Sequence, residues 1–344
     1  MNFLFDITHP AHVHLFRNAM NQLRAAGHRV LVTSREKDLT NDLLDVYGFE
    51  YRSLSAKGGH KLSLLVEWTR RELGLLRVAR RFGPDAIVSR LNPPAAHAAS
   101  VFRCPSVVFD DSEAARLAAR LTHPFADLIC TPAAYTRDLG PKQRRYDGFH
   151  ELAYLHPDWF EPDPEPLVAH GVAVDEPYFV LRFVSWGAHH DVGKRGFTDA
   201  VKRDLVGRLS DRGEVYITSE RALPDDLERY RLPVPPQHVH DLLYYADLYV
   251  GDSQTMATEA GVLGTPAVRA NSFSGENDMG NFRALEEEYG LIRSTDNPER
   301  ALALAEELAD ADTKSEWHRK RERLCEEKID VTRYIVDTVT EAAR

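Results

Sequence analysis

The first 33 residues alternate between strand and helix patterns, and this alternation limits the fold more than any other feature of the chain. Asn2–Ile7 is a short apolar run typical of a buried strand, and apolar residues then recur every three or four positions over Leu15–Ala26. Gly27 ends this predicted helix, and His28–Thr33 is the next predicted strand. A strand, a helix and a second strand in this order predict a parallel sheet that is covered by helices.

The same alternation continues and then restarts after a proline-rich stretch at 157–177. The further predicted strands are Ala86–Ser89, Ser106–Phe109, Leu128–Cys130, Tyr178–Val184, Glu214–Ser219, Leu248–Gly251 and Ala267–Arg269. We therefore predict an α/β fold of two doubly wound, Rossmann-like domains that face each other across a cleft. The predicted boundaries are 1–160 for the first domain, 161–177 for a linker, 178–330 for the second domain, and 331–344 for a helix that packs back on the first domain.

Composition excludes several classes of protein. The chain has 344 residues, 43% of them hydrophobic, which is enough for two cores, and its net charge of −10 argues against nucleic acid as a partner. The three cysteines match no zinc spacing, and no apolar run is long enough to span a bilayer. We expect a cytoplasmic protein.

Polar residues follow most of the predicted strands, and ligands bind at this edge of open α/β sheets. The first such loop, Thr8–His14, contains His9, His12 and His14. A histidine can act as a general base near neutral pH, and we favour His12 or His14 for this role. The alternatives are a metal site, which the spacing does not support, or histidines that cap the helix or pack in the core.

Acidic residues follow the strand Ser106–Phe109. Asp110 and Asp111 point to opposite sides of an extended chain, whereas Asp111 and Glu113 share a side and can divide acid and base roles. The alternative is a helix cap at Asp111 or Ser112, with Glu113 in the first helical turn. Arg90 follows another strand, where it contacts either a substrate or solvent.

The most informative segment is His240–Arg269. A strand ends at Gly251-Asp252-Ser253 and is followed by the predicted helix Gln254–Leu263. Small and hydroxyl residues at a helix N-terminus leave backbone N–H groups for a phosphate, and Glu259 lies one turn beyond Thr255, where it can accept hydrogen bonds from ribose. The alternative is an ordinary capped helix with an incidental glutamate.

The run YYADLYVGDSQTMATEAGVLGTPAV resembles the nucleotide-sugar signature of GT-B-fold enzymes, among them the non-hydrolysing UDP-N-acetylglucosamine 2-epimerases and the N-acetylglucosaminyl transferase that makes lipid II. The whole chain resembles a prokaryotic family of unknown function described as predicted glycosyltransferases. The matching pieces are FDITHPAHVHLFRN, VSRLNPPAA, VFDDSEAA, YDGFHELAYLHP and LRFVSWGAHHDVGKRG. Gln254 and Thr255 replace the usual glycine pair, so the Thr255 hydroxyl is expected to substitute for it.

This resemblance implies a metal-independent, cofactor-free glycosyltransferase of polysaccharide biosynthesis that uses a UDP- or GDP-sugar donor and a glycan or lipid-linked acceptor. The implied base is His12, Asp111 or Glu113. The implied substrate-binding residues are His9, His14, Arg90, Arg182, Ser185, His189, His190, Lys194, His240, Ser253, Thr255, Glu259, Glu276 and Asn277. Two alternatives remain open, namely a nucleotide-sugar 2-epimerase acting by elimination–addition and a catalytically silent sensor of nucleotide sugars.

The predicted helix Lys61–Phe82 carries six basic and two acidic residues beside Leu64, Leu65, Trp68, Leu75 and Leu76. One hypothesis places it on an anionic membrane, which would make the protein peripheral at the inner membrane face. The alternative is an amphipathic helix that packs on the sheet and exposes a basic face to solvent.

Overall fold

A computed structural model describes residues 1–56, 61–184, 197–219, 222–271, 278–310 and 313–344. The chain divides into two compact units. Unit 1 consists of Met1–Trp159 and Lys328–Arg344, and unit 2 consists of Phe160–Glu327. The whole predicted linker, 161–177, lies within unit 2, where the backbone N–H of Asp163 donates to Oδ1 of Asp241 at 3.0 Å.

Unit 1 is built on a parallel sheet with the strand order β3-β2-β1-β4-β5-β6-β7 among its described residues. The strands are β1 (Asn2–Ile7), β2 (Arg29–Glu36), β3 (Tyr51–Ala56), β4 (Ala86–Arg90), β5 (Ser106–Phe109), β6 (Leu128–Pro132) and β7 (Gln143–Tyr146). The helices that follow the strands are α1 (Pro10–Ala25), α2 (Thr40–Val46), α3 (Lys61–Phe82), α4 (Pro93–Phe102), α5 (Arg116–Thr122) and α6 (Leu152–Leu155). Strand order reverses at β1 and β4, so the carboxyl ends of these two strands form the edge where ligands bind in such sheets.

Unit 2 contains a second parallel sheet, with the order β12-β11-β10-β8-β9 in its described part. Its strands are β8 (Tyr178–Phe183), β9 (Glu214–Ser219), β10 (Leu248–Gly251), β11 (Ala267–Ala270) and β12 (Ile292–Thr295). Its helices are α7 (Glu165–Ala169), α8 (Asp199–Ser210), α9 (Val239–Tyr245), α10 (Gln254–Leu263), α11 (Gly280–Arg283), α12 (Pro298–Asp310) and α13 (Lys314–Glu327). Here the order reverses between β8 and β10.

The last helix, α14 (Val331–Ala342), belongs to unit 1. The Thr332 hydroxyl donates to the carbonyl oxygen of Ala153 at 2.6 Å, and the Asn18 side-chain amide of α1 donates to the same oxygen at 2.9 Å. The side chain of Val331 lies so close to Gly148 that a Cβ added there would be 2.7 Å from it. The chain thus ends in the unit where it begins.

Helix α1 begins earlier than the sequence predicts. His9 caps it through Nδ1, which accepts a hydrogen bond from the backbone N–H of Ala11 at 3.2 Å, and Pro10 occupies the first turn, where its missing N–H has no cost. The predicted loop Thr8–His14 is therefore helical from Pro10, and His12 and His14 are helical residues.

Helix α3 packs on the sheet with one face, in agreement with the prediction of a sheet-packed amphipathic helix. Leu75 and Ala79 are buried against Leu4 and Ile87 of the sheet, and burial of a leucine contributes about 1.5–3 kcal/mol. The Arg71 side chain is also buried and forms an ion pair with Asp6, so this cation is not available to a membrane. Among the described residues, no helix is both long and apolar enough to cross a bilayer.

Candidate active site

The carboxyl ends of β4 and β5 bring together two predicted site residues. Arg90 is the last residue of β4, and Asp111 lies two residues beyond the end of β5. The Arg90 guanidinium forms an ion pair with the Asp111 carboxylate, and both side chains are less than one fifth exposed. From the sequence, Arg90 was expected to contact either a substrate or solvent. In the structure its side chain holds the candidate catalytic carboxylate of Asp111 in place.

His12 is half-buried at the start of α1, beyond the carboxyl end of β1. Its Nδ1 accepts a hydrogen bond from the backbone N–H of Thr8 at 3.4 Å, and the Thr8 hydroxyl lies 3.3 Å from the same atom. Burial lowers the pKa of His12 well below 6.5, and the Arg90 guanidinium lowers this pKa further. His12 is therefore neutral at pH 7, with its proton on Nε2, because Nδ1 is the acceptor.

His150 joins this group, and sequence reasoning assigned it no role. Its Nδ1 lies 2.9 Å from Oδ2 of Asp111, and its ring stacks beside Tyr146 with the centroids 6.2 Å apart. Burial lowers the pKa of His150 well below 6.5; Arg90 lowers it further and Asp110 opposes the shift. The segment YDGFHELAYLHP contains this histidine, but no periodic pattern marks it. We refer to Arg90, Asp111, His12 and His150 as the unit 1 cluster.

Asp110 and Glu113 have other partners. Asp110 is fully buried and accepts a hydrogen bond from the Tyr135 hydroxyl at 3.2 Å, and its Oδ2 lies 3.1 Å from Nε2 of His123. Glu113 accepts hydrogen bonds from the backbone N–H and the hydroxyl of Thr136. Helix α5 begins only at Arg116, with Ala115 in the capping position, so neither Asp111 nor Ser112 is its N-cap. Asp111 and Glu113 thus contact different residues, and the division of acid and base roles between them stays a prediction.

His14 lies on the buried face of α1. Its ring stacks on Tyr154 with a centroid separation of 5.4 Å and meets Tyr47 edge-on at 5.9 Å. Only 5% of His14 is exposed. Of the three predicted histidines, His9 caps the helix, His14 packs in the core, and His12 is electrostatically coupled to Arg90 and His150.

A second polar group in unit 1 was also not predicted. Asp6 is fully buried at the end of β1 and accepts hydrogen bonds from Thr33 at 2.6 Å, from Arg71 and from Asn92. Buried carboxylates persist only when they are paired and hydrogen-bonded, as Asp6 is. These contacts tie β1 to β2, α3 and the loop after β4, so they support the edge that carries the unit 1 cluster.

In unit 2, helix α10 starts at the carboxyl edge of the sheet. The Ser253 hydroxyl caps it by accepting from the backbone N–H of Met256 at 3.3 Å. Ser253, Gln254 and Thr255 are all half-buried, and the first N–H groups of a helix have no acceptor within it. This N-terminus can therefore receive an anion such as a diphosphate.

The end of β10 is held close to the end of β8. Oδ1 of Asp252 accepts from the backbone N–H of Val184 at 2.7 Å, and the N–H of Asp252 donates to the carbonyl oxygen of Arg182 at 3.2 Å. A Cβ added to Gly251 would lie 2.7 Å from that carbonyl oxygen, so only glycine fits here. The Arg182 guanidinium donates to the Thr218 hydroxyl at 2.8 Å, which ties the end of β8 to β9.

Glu259 and His240 contact each other inside unit 2. Nε2 of His240 lies 3.1 Å from Oε1 of Glu259, and both side chains are almost completely buried. The ring of Phe160 meets His240 edge-on at 6.4 Å. Glu259 is thus placed one turn into α10 as predicted, with one carboxylate oxygen directed to a histidine of α9.

Several predicted residues lie outside the described residues, namely Ser185, His189, His190, Lys194, Glu276 and Asn277. Among the residues that are described, histidine, cysteine and carboxylate side chains form no group of three that could hold a metal ion.

The chain belongs to the DUF354 family. This family is described as a protein of unknown function, and its pattern matches residues 1–344. An uncharacterized protein of Methanocaldococcus jannaschii is 23% identical to the DUF354 chain over 274 residues, which cover 76% of this chain and 80% of the relative.

Two solved structures show the fold. The UDP-GlcNAc 2-epimerase from Methanocaldococcus jannaschii matches this DUF354 chain with a TM-score of 0.69 and 12% identity, covering 99% of this chain and 100% of the epimerase. The glycosyltransferase VinC, solved in complex with dTDP, matches with a TM-score of 0.62 and 14% identity, covering 100% of this chain and 99% of VinC. The chain therefore has the GT-B fold of two Rossmann-like units, and the resemblance stated from the sequence is confirmed at the level of family and fold.

Proposed function

We propose that this DUF354 protein is a glycosyltransferase that moves a sugar from a nucleotide-diphosphate sugar to an acceptor. The observation that carries the proposal is the start of α10, where Ser253 and Thr255 are accessible directly beyond β10. The start of α10 lies where the strand order of the unit 2 sheet reverses, between β8 and β10. Doubly wound sheets bind nucleotides at such positions. Proteins of the same fold include one solved with dTDP.

The donor's diphosphate binds at the N-terminus of α10. The backbone N–H groups of the first helical turn donate to phosphate oxygens, and the Thr255 hydroxyl takes the place of the missing glycine N–H groups. Glu259, one turn further, accepts from the ribose, with its other hydrogen bond made to His240. The bond between sugar and diphosphate weakens as negative charge develops on the leaving phosphate, and the helix N-terminus stabilises that charge.

The unit 1 cluster acts on the acceptor. Asp111 is its carboxylate, and as general base it takes the proton of the acceptor hydroxyl that attacks the sugar. Arg90 fixes the position of this carboxylate. His12 donates its Nε2–H to a substrate oxygen, because hydrogen bonding at Nδ1 leaves that tautomer. The acceptor is a glycan or a lipid-linked sugar.

One observation favours a second function, epimerisation at C2 of a nucleotide sugar. The unit 1 cluster holds a carboxylate together with two neutral imidazoles, and elimination–addition requires separate groups to remove and return a proton. In that reaction no acceptor takes part.

Incubation with a panel of UDP- and GDP-sugars in D2O, with and without glycan acceptors, separates the two functions. Nucleotide release that depends on the acceptor supports transfer, whereas deuterium incorporation at C2 without acceptor supports epimerisation. Isothermal titration calorimetry with the same panel tests the shared requirement for donor binding. Glu259→Gln is the matched variant, because it keeps the side-chain volume and removes the charge. Absence of binding across the panel, or binding that Glu259→Gln and Ser253→Ala leave unchanged in folded protein, would overturn the proposal.

A further inference from the structure

Unit 1 contains a cavity of about 640 Å³ that the proposed reaction does not use. It lies between α5, the 3₁₀ turn His123–Phe125 and the segment that leads to β7. Four cationic side chains line it, and they are Arg116, Arg120, Arg137 and Lys142. No aspartate or glutamate is among its lining residues.

The charge of this cavity is not balanced by the described part of the chain. Arg116, Arg120 and Arg137 form no ion pair with any described carboxylate, and Lys142 donates to the carbonyl oxygen of Pro124 at 3.0 Å. The chain as a whole has a charge of −10. Four clustered cations on an acidic protein create a local positive potential that favours a multiply charged anion such as a phosphate group.

Large apolar side chains protrude beside these cations. Leu117 is 73% exposed and Phe125 is 44% exposed, and Leu121 lies one helical turn after Leu117. Val101 of α4 is 63% exposed, and one turn before it the His97 ring lies 4.5 Å from the Phe125 ring. We call the four cations together with Val101, Leu117, Leu121 and Phe125 the α5 surface.

We propose that the α5 surface binds a bilayer that contains anionic phospholipid. Headgroup phosphates enter the cavity and bind its arginines, while Leu117, Leu121 and Phe125 enter the interfacial region. At an anionic membrane surface, exposed apolar side chains bordered by cations gain both apolar burial and attraction to the headgroups. A soluble phosphate compound accounts for the arginines but leaves the exposed leucines without a contact.

The cavity adjoins the unit 1 cluster through two residues. His123 lines the cavity, its Nε2 lies 3.1 Å from the buried Asp110, and Asp110 precedes Asp111 in the chain. The proposed membrane surface therefore lies on the same unit as the candidate acceptor site. The lipid proposal itself is independent of the proposed transferase reaction, because it rests on surface chemistry alone.

Sedimentation with vesicles tests the proposal without any substrate. Vesicles of phosphatidylcholine alone are compared with vesicles that also contain phosphatidylglycerol, at low and at high salt. We expect the protein to sediment only with the anionic vesicles and to be released by salt. Arg120→Gln combined with Arg137→Gln is expected to weaken binding by roughly 30-fold, since each cation near an anionic surface contributes about a factor of five.

Two further variants make the test specific. Leu117→Ser combined with Leu121→Ser alters only exposed side chains and is expected to weaken vesicle binding by about tenfold, because interfacial binding scales with buried apolar area. Arg77→Gln combined with Arg80→Gln, on the exposed side of α3, is the matched control and is expected to bind like the unaltered protein. Circular dichroism establishes that each variant is folded.

Three results would overturn the proposal. One is the absence of sedimentation with anionic vesicles. The second is loss of binding in the α3 control with binding retained in the α5 variants, which assigns the contact to α3. The third is vesicle binding that is unaffected by the leucine variant, together with arginine-dependent binding of inorganic phosphate, which would make the cavity a site for a soluble phosphate compound.

Discussion

The backbone N–H of Thr8 donates a hydrogen bond to Nδ1 of His12. A backbone donor cannot change its protonation, so Nδ1 must carry the lone pair and Nε2 the proton. A histidine in this state donates a hydrogen bond to its ligand, and it is not prepared to accept a proton at Nε2. The sequence left the general base open between His12, Asp111 and Glu113. This contact favours a hydrogen-bond donor role for His12 over the role of base.

Because His12 carries its proton on Nε2, we expect substitution by glutamine and by alanine to have different effects. The side-chain amide of glutamine places an N–H donor near the position of Nε2, whereas alanine offers none. We expect His12→Ala to lower kcat/KM by about 10- to 100-fold, the cost of one hydrogen bond to a charged or polarised oxygen, and His12→Gln to restore most of that loss. Nucleotide release from the donor sugar measures both. A glutamine variant as impaired as the alanine variant would instead show that His12 exchanges a proton.

The different partners of Asp111 and Glu113 predict unequal effects on turnover. Asp111 contacts Arg90 and His150, whereas Glu113 accepts hydrogen bonds from Thr136. We expect Asp111→Asn to lower kcat by roughly 100-fold or more, the usual contribution of a general base. Glu113→Gln is the matched isosteric control, and we expect it to retain kcat within about a factor of ten while losing roughly 1 kcal/mol of stability through its weakened hydrogen bonds. The opposite ranking would assign the base to Glu113.

His150 predicts a pH dependence of stability. Burial and Arg90 lower its pKa well below 6.5, so the folded state keeps the ring neutral where the unfolded chain already takes up a proton. The unfolded state therefore binds more protons below pH 6.5, and the free energy of unfolding falls as the pH drops through this range, by up to about 1.4 kcal/mol per pH unit for one such histidine. Above pH 6.5 the stability is fully present. His12 contributes in the same direction.

Urea denaturation between about pH 7 and about pH 5 measures this effect. His150→Phe keeps an aromatic ring beside Tyr146 and removes the titrating group. We expect its stability to fall less steeply with acidification than that of the unaltered protein, with the residual slope due in part to His12. Equal slopes for the two proteins would mean that the pKa of His150 is the same in the folded and unfolded states.

The central strands of both sheets could be predicted from the sequence, whereas three of the four edge strands could not. β1, β5, β9 and β10 match the predicted bounds because a strand with neighbours on both sides, or an apolar one, appears as a continuous hydrophobic run. The three strands that were missed, β3, β7 and β12, all lie at the edges of their sheets and contain polar residues. An edge strand is less buried, so its sequence carries little periodic signal.

Site residues could be predicted from the sequence only where they lie together in one short segment of the chain. The Ser253 cap and the position of Glu259 follow from the strand and helix that carry them. His150 could not be found in this way, because it reaches Asp111 from a segment 39 residues away in the chain. The role of His14 was overestimated for the same reason, since the tyrosines that bury it, Tyr47 and Tyr154, come from distant parts of the sequence.

Ser253 allows the capping of α10 to be separated from its proposed role in diphosphate binding. Serine, asparagine and aspartate cap helices about equally well, so Ser253→Asn and Ser253→Asp should both keep the melting temperature, whereas Ser253→Ala should lose about 0.5–2 kcal/mol with the bond to Met256. Aspartate also adds a negative charge where the diphosphate is expected. We therefore expect Ser253→Asp to weaken binding of UDP- and GDP-sugars by roughly 10- to 100-fold relative to Ser253→Asn, as measured by calorimetry. Equal affinity of these two equally stable variants would show that the diphosphate does not bind at the N-terminus of α10. A carboxylate placed next to a bound diphosphate must weaken its binding.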